Sequence, residues 1–599
     1  MKKIILTIAS LFMALCVFAG EVPSSTALSV AKQFMNASSL TLVWDGTETT
    51  TKSLSEPVFF VYNVDGGGWV IVSAEDSVTP ILGYSDTGSF SATNMPENLS
   101  GWMGSLRDEI LKAREEKLTA SAQVRQKWEN PARVQTRAGA SQKYLTTASW
   151  DQLSPYNNYL SSYVKNNGRT LSNLCTGCVA TAMAEVLRFH KWPESGTGTL
   201  SSYTTATKGY SVTGYDLGHT YSWSSMPETY TNSATTTQKN AVAQLMLDCG
   251  VMVEMDYDTS SNGGSGAYTE NILPALIEHM GYSKSAVLRY RTNFSTQEWM
   301  NMIVEDIDNE RPILYSGSGD DGGHQFVCDG YDLDNTMLHI NWGWSGSSNG
   351  YFTLTMDSGS GTFNEYQSAI FGLAPDKTGT SEYAEEILFY SYDYEDSVNG
   401  IEVVSGTVAK GETFELIAGK FYNAGNAAYT GAIKAVLTDK DGSWKEDLGE
   451  TIEMTDDEDT EGLPAGYLFW LDSSLDSSEA ISCTITQDIA LGDRIAFWYR
   501  LNDGSWIPVK TDKEDLSVPW EWACVDACAI KTGGSYSSGD VFYFELIPGN
   551  KGISSLTWTF DGSAAELSQT LTSGTHTVAA QIVFTDSTTE TVSQTLVVK

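Results

Sequence analysis

The sequence predicts a multidomain protein in which two α+β units precede two all-β sandwich modules. The first observation is length, since 599 residues exceed the ~100 to 200 that one domain usually holds. The second is a change of pattern along the chain. Helical and strand-like segments mix as far as residue 376, whereas short β-rich runs separated by Gly, Asn and Asp turns fill the remainder.

The chain begins with Met1, Lys2 and Lys3, followed by an apolar run over 4–18 and then small residues. A charged start, a short apolar core and a small-residue cleavage site are typical of a secretory signal peptide, which we place at 1–19. A lipoprotein anchored at Cys16 is the alternative, but a lipobox requires a small residue where Leu15 stands. No later stretch approaches the ~20 apolar residues of a membrane span. We therefore expect an exported protein without a transmembrane segment.

The net charge is −39, from 36 basic and 75 acidic residues. Such a chain lacks the basic patch that neutralises phosphates, so nucleic acid is not an expected partner. Seven cysteines follow the leader, an odd number in an oxidising compartment, and at least one should stay a thiol. Cys524 and Cys528 are expected to form a disulfide.

Residues 20–137 form the first unit. The stretch "SSTALSVAKQFMNAS" predicts an amphipathic helix, and "VFFVYNVDGGGWVIVSAE" predicts two strands around a glycine turn. A second helix is predicted in "PENLSGWMGSLRDEILKAREEKL", opened by Pro96 and Glu97. The polar stretch that follows, "TASAQVRQKWENPARVQTRAGASQK", lacks hydrophobic periodicity and predicts a linker that a protease can reach.

Residues 138–376 contain the cysteine pair, five of the six histidines and several Gly-rich loops, so we expect the chemistry there. The β-rich runs divide into residues 377–513 and 514–599, which predict two sandwich (Ig-like) modules. The acidic run "TDDEDTEG" at 455–462 predicts a solvated turn. A calcium loop is the alternative, but the ligand spacing matches no EF-hand.

The stretch "NLCTGCVATAMAEVLRFHKWP" holds Cys175 and Cys178 at the start of a predicted helix. Apolar residues recur at helical spacing after Cys178, and Gly177 suits a sharp entry turn. Cys178 is therefore expected at a helix N-terminus, where unsatisfied N–H groups and the helix dipole favour a thiolate. Cys175 lies outside the helix and lacks this assistance. No further thiols or imidazoles follow at the close spacing of a zinc site, so no metal is expected.

A thiolate nucleophile also needs a base and a group that orients it. The stretch "DDGGHQFVCDGYDLDNTMLHINWGWSG" predicts two strands joined by the turn "DLDN". The midpoint between His324 and Asn341 falls inside this turn, so a hairpin would set the two side chains opposite each other. The amide could then fix the imidazole tautomer. Upstream, Gln152 offers a neutral donor for an oxyanion hole, together with the Cys178 N–H.

Several motifs resemble the streptopain family of bacterial cysteine peptidases, which are secreted zymogens with a papain-like core. In the second unit these motifs are "TGCVATAMAEVLRFHKWP", "GGHQFVCDGYD", "HINWGWSGSSNGYF" and "EYQSAIFGL". In the first unit they are "GGGWVIVSAEDSVTPILGYSDTGSF" and "MPENLSGWM". The resemblance spans residues 20–374 and leaves both β modules outside it. His324 and Asn341 also follow Cys178 at about the 150 residues expected of papain-like enzymes.

The resemblance implies a cysteine endopeptidase made as a zymogen, with an inhibitory propeptide at 20–137 and a papain-like α+β domain at 138–376. It implies a bacterial protein that is secreted or held at the cell surface or in the periplasm. Protein or peptide substrates and the chain's own propeptide are the implied partners, and no cofactor is implied. The expected activating cut follows Arg137 or Lys143.

The resemblance also assigns roles to residues. It implies Cys178 as nucleophile, His324 as base, Asn341 as orienter and Gln152 as oxyanion donor. It implies that Ser265, Gly266 and Ala267 line the pocket for a hydrophobic side chain two residues before the cut. Gly323 precedes the base, and Trp342 and Trp344 would shield the hydrogen bond between base and orienter from water. These six are the implied substrate-binding residues. The stretch "DSGSGTFNEY" at 357–366 resembles the family's mobile active-site loop.

Cys175 departs from the family pattern, which has a single cysteine at the nucleophile. A CxxC thiol oxidoreductase is one alternative, but no thioredoxin-like context surrounds the pair. An adhesin or glycan-binding protein that uses the C-terminal modules is another, and the ligand of those modules is unknown. A catalytically inactive protease-like inhibitor is disfavoured, because all four expected site residues are present.

Overall fold

The computed structural model describes most of the chain, namely residues 20–47, 56–93, 95, 97–131, 141–262, 264–291, 294, 296–319, 322–356, 367–384, 386–389, 400–454, 462–463, 468–471, 480–501, 504–510, 520–531, 536–539, 541–565 and 568–599. Four predictions concern residues outside these ranges. They are the signal peptide at 1–19, the part of the linker that contains Arg137, the loop at 357–366 and all but the last residue of the acidic run.

The first unit is an antiparallel sheet flanked by helices. Its helices are α1 (Ser24–Met35), α2 (Glu97–Glu116) and α3 (Ala122–Glu129), and its strands are β1 (Leu40–Trp44), β2 (Phe59–Val64), β3 (Trp69–Ser73) and β4 (Ile81–Ser85). Strands β2 and β3 enclose the predicted glycine turn. Helix α3 falls in the stretch predicted as linker, and that part of the prediction is wrong. Val124 is buried and the Trp128 indole donates to the Val78 carbonyl at 2.9 Å, so two side chains one turn apart dock a short helix.

Among its described residues, the second unit adds five α-helices and thirteen strands. The helices are α4 (Leu160–Tyr163), α5 (Cys178–His190), α6 (Thr236–Met252), α7 (Ile272–Met280) and α8 (Thr296–Asp308). The strands are β5 (Gln142–Tyr144), β6 (Val164–Asn166), β7 (Arg169–Thr170), β8 (Thr199–Leu200), β9 (Tyr203–Thr204), β10 (Ser211–Val212), β11 (Tyr215–Asp216), β12 (Val287–Tyr290), β13 (Ile313–Gly319), β14 (Gly322–Asp332), β15 (Met337–Asn341), β16 (Gly350–Thr353) and β17 (Gln367–Phe371).

Strand β4 pairs with β16, so the two units share one sheet of eleven strands. The order is β1-β2-β3-β4-β16-β15-β14-β13-β17-β12, with β5 paired to β14. Alternate residues of the central strands face opposite layers, as the two-residue period requires. Leu314 and Val327 pack in the core that contains α5, α6 and α7, whereas Tyr315 and Phe326 pack in the core that contains α2 and α8. The sheet therefore separates the cysteine helix α5 from helix α2 of the first unit.

The C-terminal region is built from antiparallel strands, in agreement with the predicted β-rich character. Two sheets share one hydrophobic core, and their strands are β18 (Ile387–Phe389), β19 (Gly400–Gly406), β20 (Thr413–Asn423), β21 (Gly431–Thr438), β22 (Trp444–Met454), β23 (Leu468–Leu471), β24 (Ile481–Thr484), β25 (Arg494–Leu501), β26 (Ile507–Pro508) and β27 (Trp522–Ala523). Because β27 pairs with β25, these sheets continue past the boundary predicted at residue 513.

The last strands form a four-stranded sheet, β32-β31-β34-β35, and two short pairs around a separate core. They are β28 (Ala529–Ile530), β29 (Val541–Tyr543), β30 (Leu546–Ile547), β31 (Ile553–Phe560), β32 (Ser563–Ala565), β33 (Ser568–Thr570), β34 (Gly574–Phe584) and β35 (Thr589–Val598). The predicted Cys524–Cys528 disulfide is absent, since both residues are thiols and the Cys528 sulfur accepts the Gly549 N–H. Within the described ranges, no helix combines the length and apolar character needed to cross a membrane.

Candidate active site

Cys178 is the first residue of α5, as its sequence pattern predicts. Gly177 before it has φ 87°, and a Cβ there would lie 2.7 Å from the Met255 sulfur and 2.8 Å from the Ser265 carbonyl oxygen. Only glycine fits this entry turn, because both the left-handed φ and the available space exclude a side chain. Cys178 is half-buried, and its Sγ accepts the Gln325 N–H at 3.5 Å. The helix end and strand β14 therefore both present N–H groups near the sulfur.

His324 is the neighbour of Gln325 on β14, where it pairs with Gly317 of β13. The backbone of β14 therefore passes beside the Cys178 sulfur, whereas the two-residue period of the strand places the His324 ring on the face where Phe326 packs against α2. The His324 ring also meets helix α2 of the first unit, because a Cβ on Gly101 would lie 3.0 Å from ring atom Cδ2 and 3.4 Å from Nε2. A propeptide helix therefore rests directly on the imidazole.

Asn341 does not face His324 across the hairpin, and the predicted register is wrong. Asn341 pairs with Val327, because the turn occupies 333–336 and the ladder shifts between Cys328 and Gly330. A bulge of this kind inserts an extra residue and changes which side chains are opposite.

The Asn341 amide is instead engaged by its own surroundings. Its Nδ2 donates to Thr147 Oγ1 at 2.9 Å and to the Ala148 carbonyl at 2.7 Å. Its Oδ1 accepts the Gly343 N–H and the Asn349 side chain. While the first unit is bound, these groups make the hydrogen bonds with the Asn341 amide that were predicted for the His324 imidazole.

Gln152 is buried beside the loop that enters α5. Its carbonyl accepts the Thr176 N–H at 3.1 Å, and its own N–H donates to Asp151 Oδ1 at 2.7 Å. Two residues before Gln152, the Trp150 N–H donates to Glu185 Oε1 at 3.0 Å. The backbone of the predicted oxyanion donor is therefore tied to both the cysteine loop and the cysteine helix.

The predicted substrate-wall segment lies against the same cysteine loop. The Ser265 hydroxyl is buried and donates to the Cys175 carbonyl at 2.8 Å, so its side chain supports the loop rather than lining a pocket. Gly266 is exposed with open space at its Cβ position, and Ala267 is half-buried. Gly323 is exposed on β14 beside His324.

Trp342 is 1% exposed and is a core residue in this structure. Its ring packs 4.9 Å from Phe326 and 6.1 Å from Trp102 of helix α2, and its Nε1 donates to the Ser348 carbonyl. A direct contact with substrate is therefore excluded while α2 is in place. Trp344 is half-buried against the same core.

Cys175 is buried, and its sulfur lies 3.4 Å from the Asp258 carbonyl oxygen and 3.5 Å from the Ser265 hydroxyl. Both Cys175 and Cys178 are thiols rather than a disulfide. The two sulfurs have different environments, which weakens the case for a redox pair.

Glu185 is a residue that sequence reasoning missed. It is fully buried in α5 among apolar neighbours, and burial raises the pKa of its carboxyl well above the ordinary value. A charged residue inside a run of alanine, valine and leucine at Val179–Leu187 was the available signal.

Comparisons with known proteins place both units in known families. Residues 150–352 match the Peptidase C10 family model, and residues 19–110 match the model of the Spi protease inhibitor. The chain is 34% identical over 341 residues to streptopain of Streptococcus pyogenes serotype M28, covering 54% of this chain and 82% of streptopain. It is 31% identical over 401 residues to the thiol protease/hemagglutinin PrtT of Porphyromonas gingivalis, covering 63% of this chain but only 44% of PrtT.

Among solved structures, a mutant fragment of Prevotella intermedia prointerpain A matches with 27% identity and a TM-score of 0.43, covering 57% of this chain and 99% of the fragment. The resemblance inferred from the motifs is confirmed by the family model and the curated relatives. The chain belongs to the Peptidase C10 family and is a cysteine-type endopeptidase that carries an inhibitor-type propeptide domain.

Proposed function

We propose that a bacterium exports this protein as an inactive precursor and that removal of residues 20–137 releases the endopeptidase. Cys178 is the nucleophile, His324 the general base, Asn341 its orienter and Gln152 an oxyanion donor. The catalytic domain comprises 138–376, and the two β-rich modules that follow it, the first of which extends to β27, are Ig-like sandwiches that remain attached to it.

One observation carries the assignment of the nucleophile. Cys178 begins α5 and its Sγ accepts an N–H from Gln325, the residue that follows His324. Helix N–H groups and a strand N–H favour negative charge on the sulfur, and the His324 imidazole can remove the thiol proton once α2 no longer holds the ring. Of the cysteines described, none other combines a helix N-terminus with a histidine on an adjacent strand.

The reaction then follows the chemistry of acyl transfer. The Cys178 thiolate attacks the peptide carbonyl, and the oxyanion is held by the Cys178 N–H and the Gln152 amide. The His324 imidazolium protonates the leaving amine, which departs and leaves an acyl group on sulfur. His324 next takes a proton from water, the hydroxide attacks the acyl carbon, and the thiolate is released.

Helix α2 inhibits the enzyme by contacting both the base, His324, and the loop that follows the orienter, Asn341. Gly101 rests on the His324 ring, and Asn98 Nδ2 donates to the Trp342 carbonyl at 2.6 Å. We propose that departure of α2 frees His324 and the Asn341–Trp342 segment to pair. The hydrogen bonds that Asn341 makes in the precursor therefore describe the inhibited state.

The activating cut lies after Arg137 rather than after Lys143. Lys143 is in β5, where its backbone pairs with Tyr331 of β14. A protease binds an extended, unpaired segment, so a residue within a sheet is a poor site. The tie also keeps Gln142–Tyr144 on the catalytic domain after the cut.

The proposed preference for a hydrophobic side chain two residues before the cut rests on the family and on the substrate-wall segment. Ala267 is half-buried against the apolar core behind Cys178, and Gly266 leaves open space beside it. An apolar substrate side chain would extend that core.

The nucleophile assignment is tested by expressing the full-length chain as wild type, Cys178→Ala and Cys175→Ser. Casein hydrolysis and gel mobility should show that Cys178→Ala neither matures nor hydrolyses casein, because no other thiol is placed beside a base. Cys175→Ser serves as the matched control and should keep most of the activity under reducing conditions. Equal activity of wild type and Cys178→Ala would refute the assignment, and equal losses in both variants would favour a thiol pair.

A further inference from the structure

Glu185 lies seven residues after Cys178 on α5, two helical turns along and on the same face. Its side chain is fully buried. Within the part of the chain that the structure describes it forms no ion pair, and the titratable groups that face it, Asp151 and Asp329, are acidic. A buried carboxylate next to other carboxylates would be costly, so this position requires a specific reason.

One oxygen of the carboxyl group fixes the segment that presents Gln152. Oε1 accepts the Trp150 N–H at 3.0 Å, and two residues later the Gln152 carbonyl accepts the Thr176 N–H at 3.1 Å. The Trp150–Gln152 backbone is thus held at one end by the cysteine helix and at the other by the cysteine loop. Loss of the Oε1 contact would release one of these two ties.

The other oxygen is enclosed by the protein. Oε2 has less than 1 Å² of accessible surface and makes no hydrogen bond to any described residue. The side chain of Asn341 is the neighbouring amide that interacts with this carboxyl group. Gly343, in the loop after Asn341, touches α5 as well, since a Cβ there would lie 3.1 Å from Thr181 Cγ2.

The surroundings of the carboxyl group favour its protonated form. Burial raises its pKa, the Trp150 N–H lowers it by a smaller amount, and Asp329 raises it further. A neutral carboxylic acid can accept from Trp150 with one oxygen and donate with the other, which suits a site that contains neutral amides.

We infer that Glu185 is a positioning residue for peptide hydrolysis, whose carboxyl group holds the Gln152 segment and braces Asn341 from the same helix that carries the nucleophile. The inference rests on the proposed roles of Gln152 and Asn341. It predicts that the side chain influences turnover through Gln152, and not only through the stability of the fold.

A double-mutant cycle separates these two effects. Glu185→Leu, Glu185→Gln and Glu185→Asp are made in the full-length chain with Gln152 and with Gln152→Ala, matured in trans by wild-type enzyme and assayed with a fluorogenic peptide. Glu185→Leu should lower kcat by about tenfold or more with KM within about twofold, because a displaced donor costs transition-state binding. Glu185→Gln should restore most of this loss, since its amide oxygen still accepts from Trp150.

In the Gln152→Ala background, Glu185→Leu should lower kcat by less than about threefold, because its effect acts through the missing amide. The same factor in both backgrounds would overturn the inference while leaving the proposed function intact. If Gln152→Ala alone fails to lower kcat by about 10²-fold, the oxyanion role fails and the inference fails with it. Should the leucine variant not fold, Glu185→Asp carries the same comparison, as its shorter side chain withdraws from Trp150.

Asp306 provides the matched control, because it is also a buried carboxyl that accepts a backbone N–H, from Gly372 at 2.8 Å. It lies on α8, in the core on the other face of the sheet. Asp306→Asn should lower the melting temperature but change kcat by the same small factor with and without Gln152. Coupling between Asp306 and Gln152 as strong as that of Glu185 would overturn the inference.

Discussion

Burial determines which thiol in this protein can react. Cys249 and Cys328 are fully buried, and burial raises the pKa of both thiols. In the C-terminal region, burial raises the pKa of Cys483 and Cys524 to about 12. A thiol in these settings is mostly protonated at neutral pH and is a poor nucleophile. Cys178 differs in being half-buried at a helix N-terminus.

The raised pKa of Glu185 has a measurable consequence for stability. Its pKa in the folded chain is raised above the ordinary 4.5, so the folded state binds more protons than the unfolded state between the two values. The contribution of this group to folding is therefore present at low pH and is lost as pH rises. Glutamine at this position titrates in neither state.

Relative to wild type, Glu185→Gln should accordingly gain in free energy of unfolding as pH increases above the ordinary value of 4.5. The gain should approach about 1.4 kcal/mol for each pH unit between the two pKa values. Chemical denaturation of the uncut chain at several pH values measures it, with exposed Glu402→Gln as the control for one lost charge. A difference in free energy of unfolding that is constant with pH would show that the pKa of Glu185 is not raised in the folded chain.

Several residues of the site could be predicted from local chemistry. Gly177 before Cys178 and the apolar spacing after it indicate a helix that starts at the nucleophile, and the structure has that helix. Glu185 could also have been identified, because it is a single acidic residue within a run of buried apolar residues. The support that Ser265 gives the Cys175 carbonyl could not be foreseen, because it joins segments 90 residues apart.

At the level of secondary-structure elements, α2 contacts the proposed base, His324, and the loop that follows the proposed orienter, Asn341. Trp102 packs 5.9 Å from Phe326 and 6.1 Å from Trp342, which places the helix on β14 and on the loop after Asn341. Gly101 lets the helix backbone approach the His324 ring. A glycine within a helix costs about 1 kcal/mol relative to alanine, so its presence calls for a packing reason.

Two glycines of α2 give a matched pair of substitutions. A Cβ on Gly101 would meet the His324 ring at 3.0 Å, whereas a Cβ on Gly104 would meet only the flexible end of Arg107 at 3.9 Å. Gly101→Ala should weaken the contact by about 1 to 3 kcal/mol through overpacking and shorten the lag before autoactivation about tenfold.

Gly104→Ala gains the same helix propensity without the collision, so its lag should be unchanged or longer. The lag is followed by peptide hydrolysis and gel mobility of the full-length chain. Equal lags for both variants and wild type would show that the close approach of α2 to His324 does not keep the precursor inactive.

The hairpin of β14 and β15 shows where element-level prediction fails. The two strands and their turn could be predicted from alternating apolar residues, but the pairing of Asn341 with Val327 depends on the bulge between Cys328 and Gly330. A change of register moves every side chain relative to its partner, and a bulge has no reliable sequence signal when both strands are largely buried.

At the scale of the whole molecule, both ends of the catalytic part of the sheet are covered by other units. On one side β16 pairs with β4 of the propeptide. On the other, β12 is the last strand, and the C-terminal region lies against it: Arg289 pairs with Glu386 and donates to the Ala424 carbonyl at 2.8 Å. An open sheet edge invites pairing with other chains, so this cover protects the mature enzyme.

These contacts between units could not be predicted from the sequence. Asn426 donates to the Ala286 carbonyl at 2.6 Å, and Tyr422 packs 5.7 Å from Tyr290, yet no local pattern in either segment indicates its partner. The order of the units could be predicted from composition and pattern. Their packing depends on side chains more than 100 residues apart.

We propose that Cys178 is the catalytic thiol and that the propeptide suppresses its reactivity. Alkylation with iodoacetamide, located by peptide mass spectrometry and compared with activity over time, tests this most directly. In the mature enzyme, Cys178 should be labelled before the other cysteines and in parallel with the loss of activity, whereas in the precursor its labelling should be slower. Activity that survives complete alkylation of Cys178, or inactivation that follows labelling of Cys175, would contradict the account.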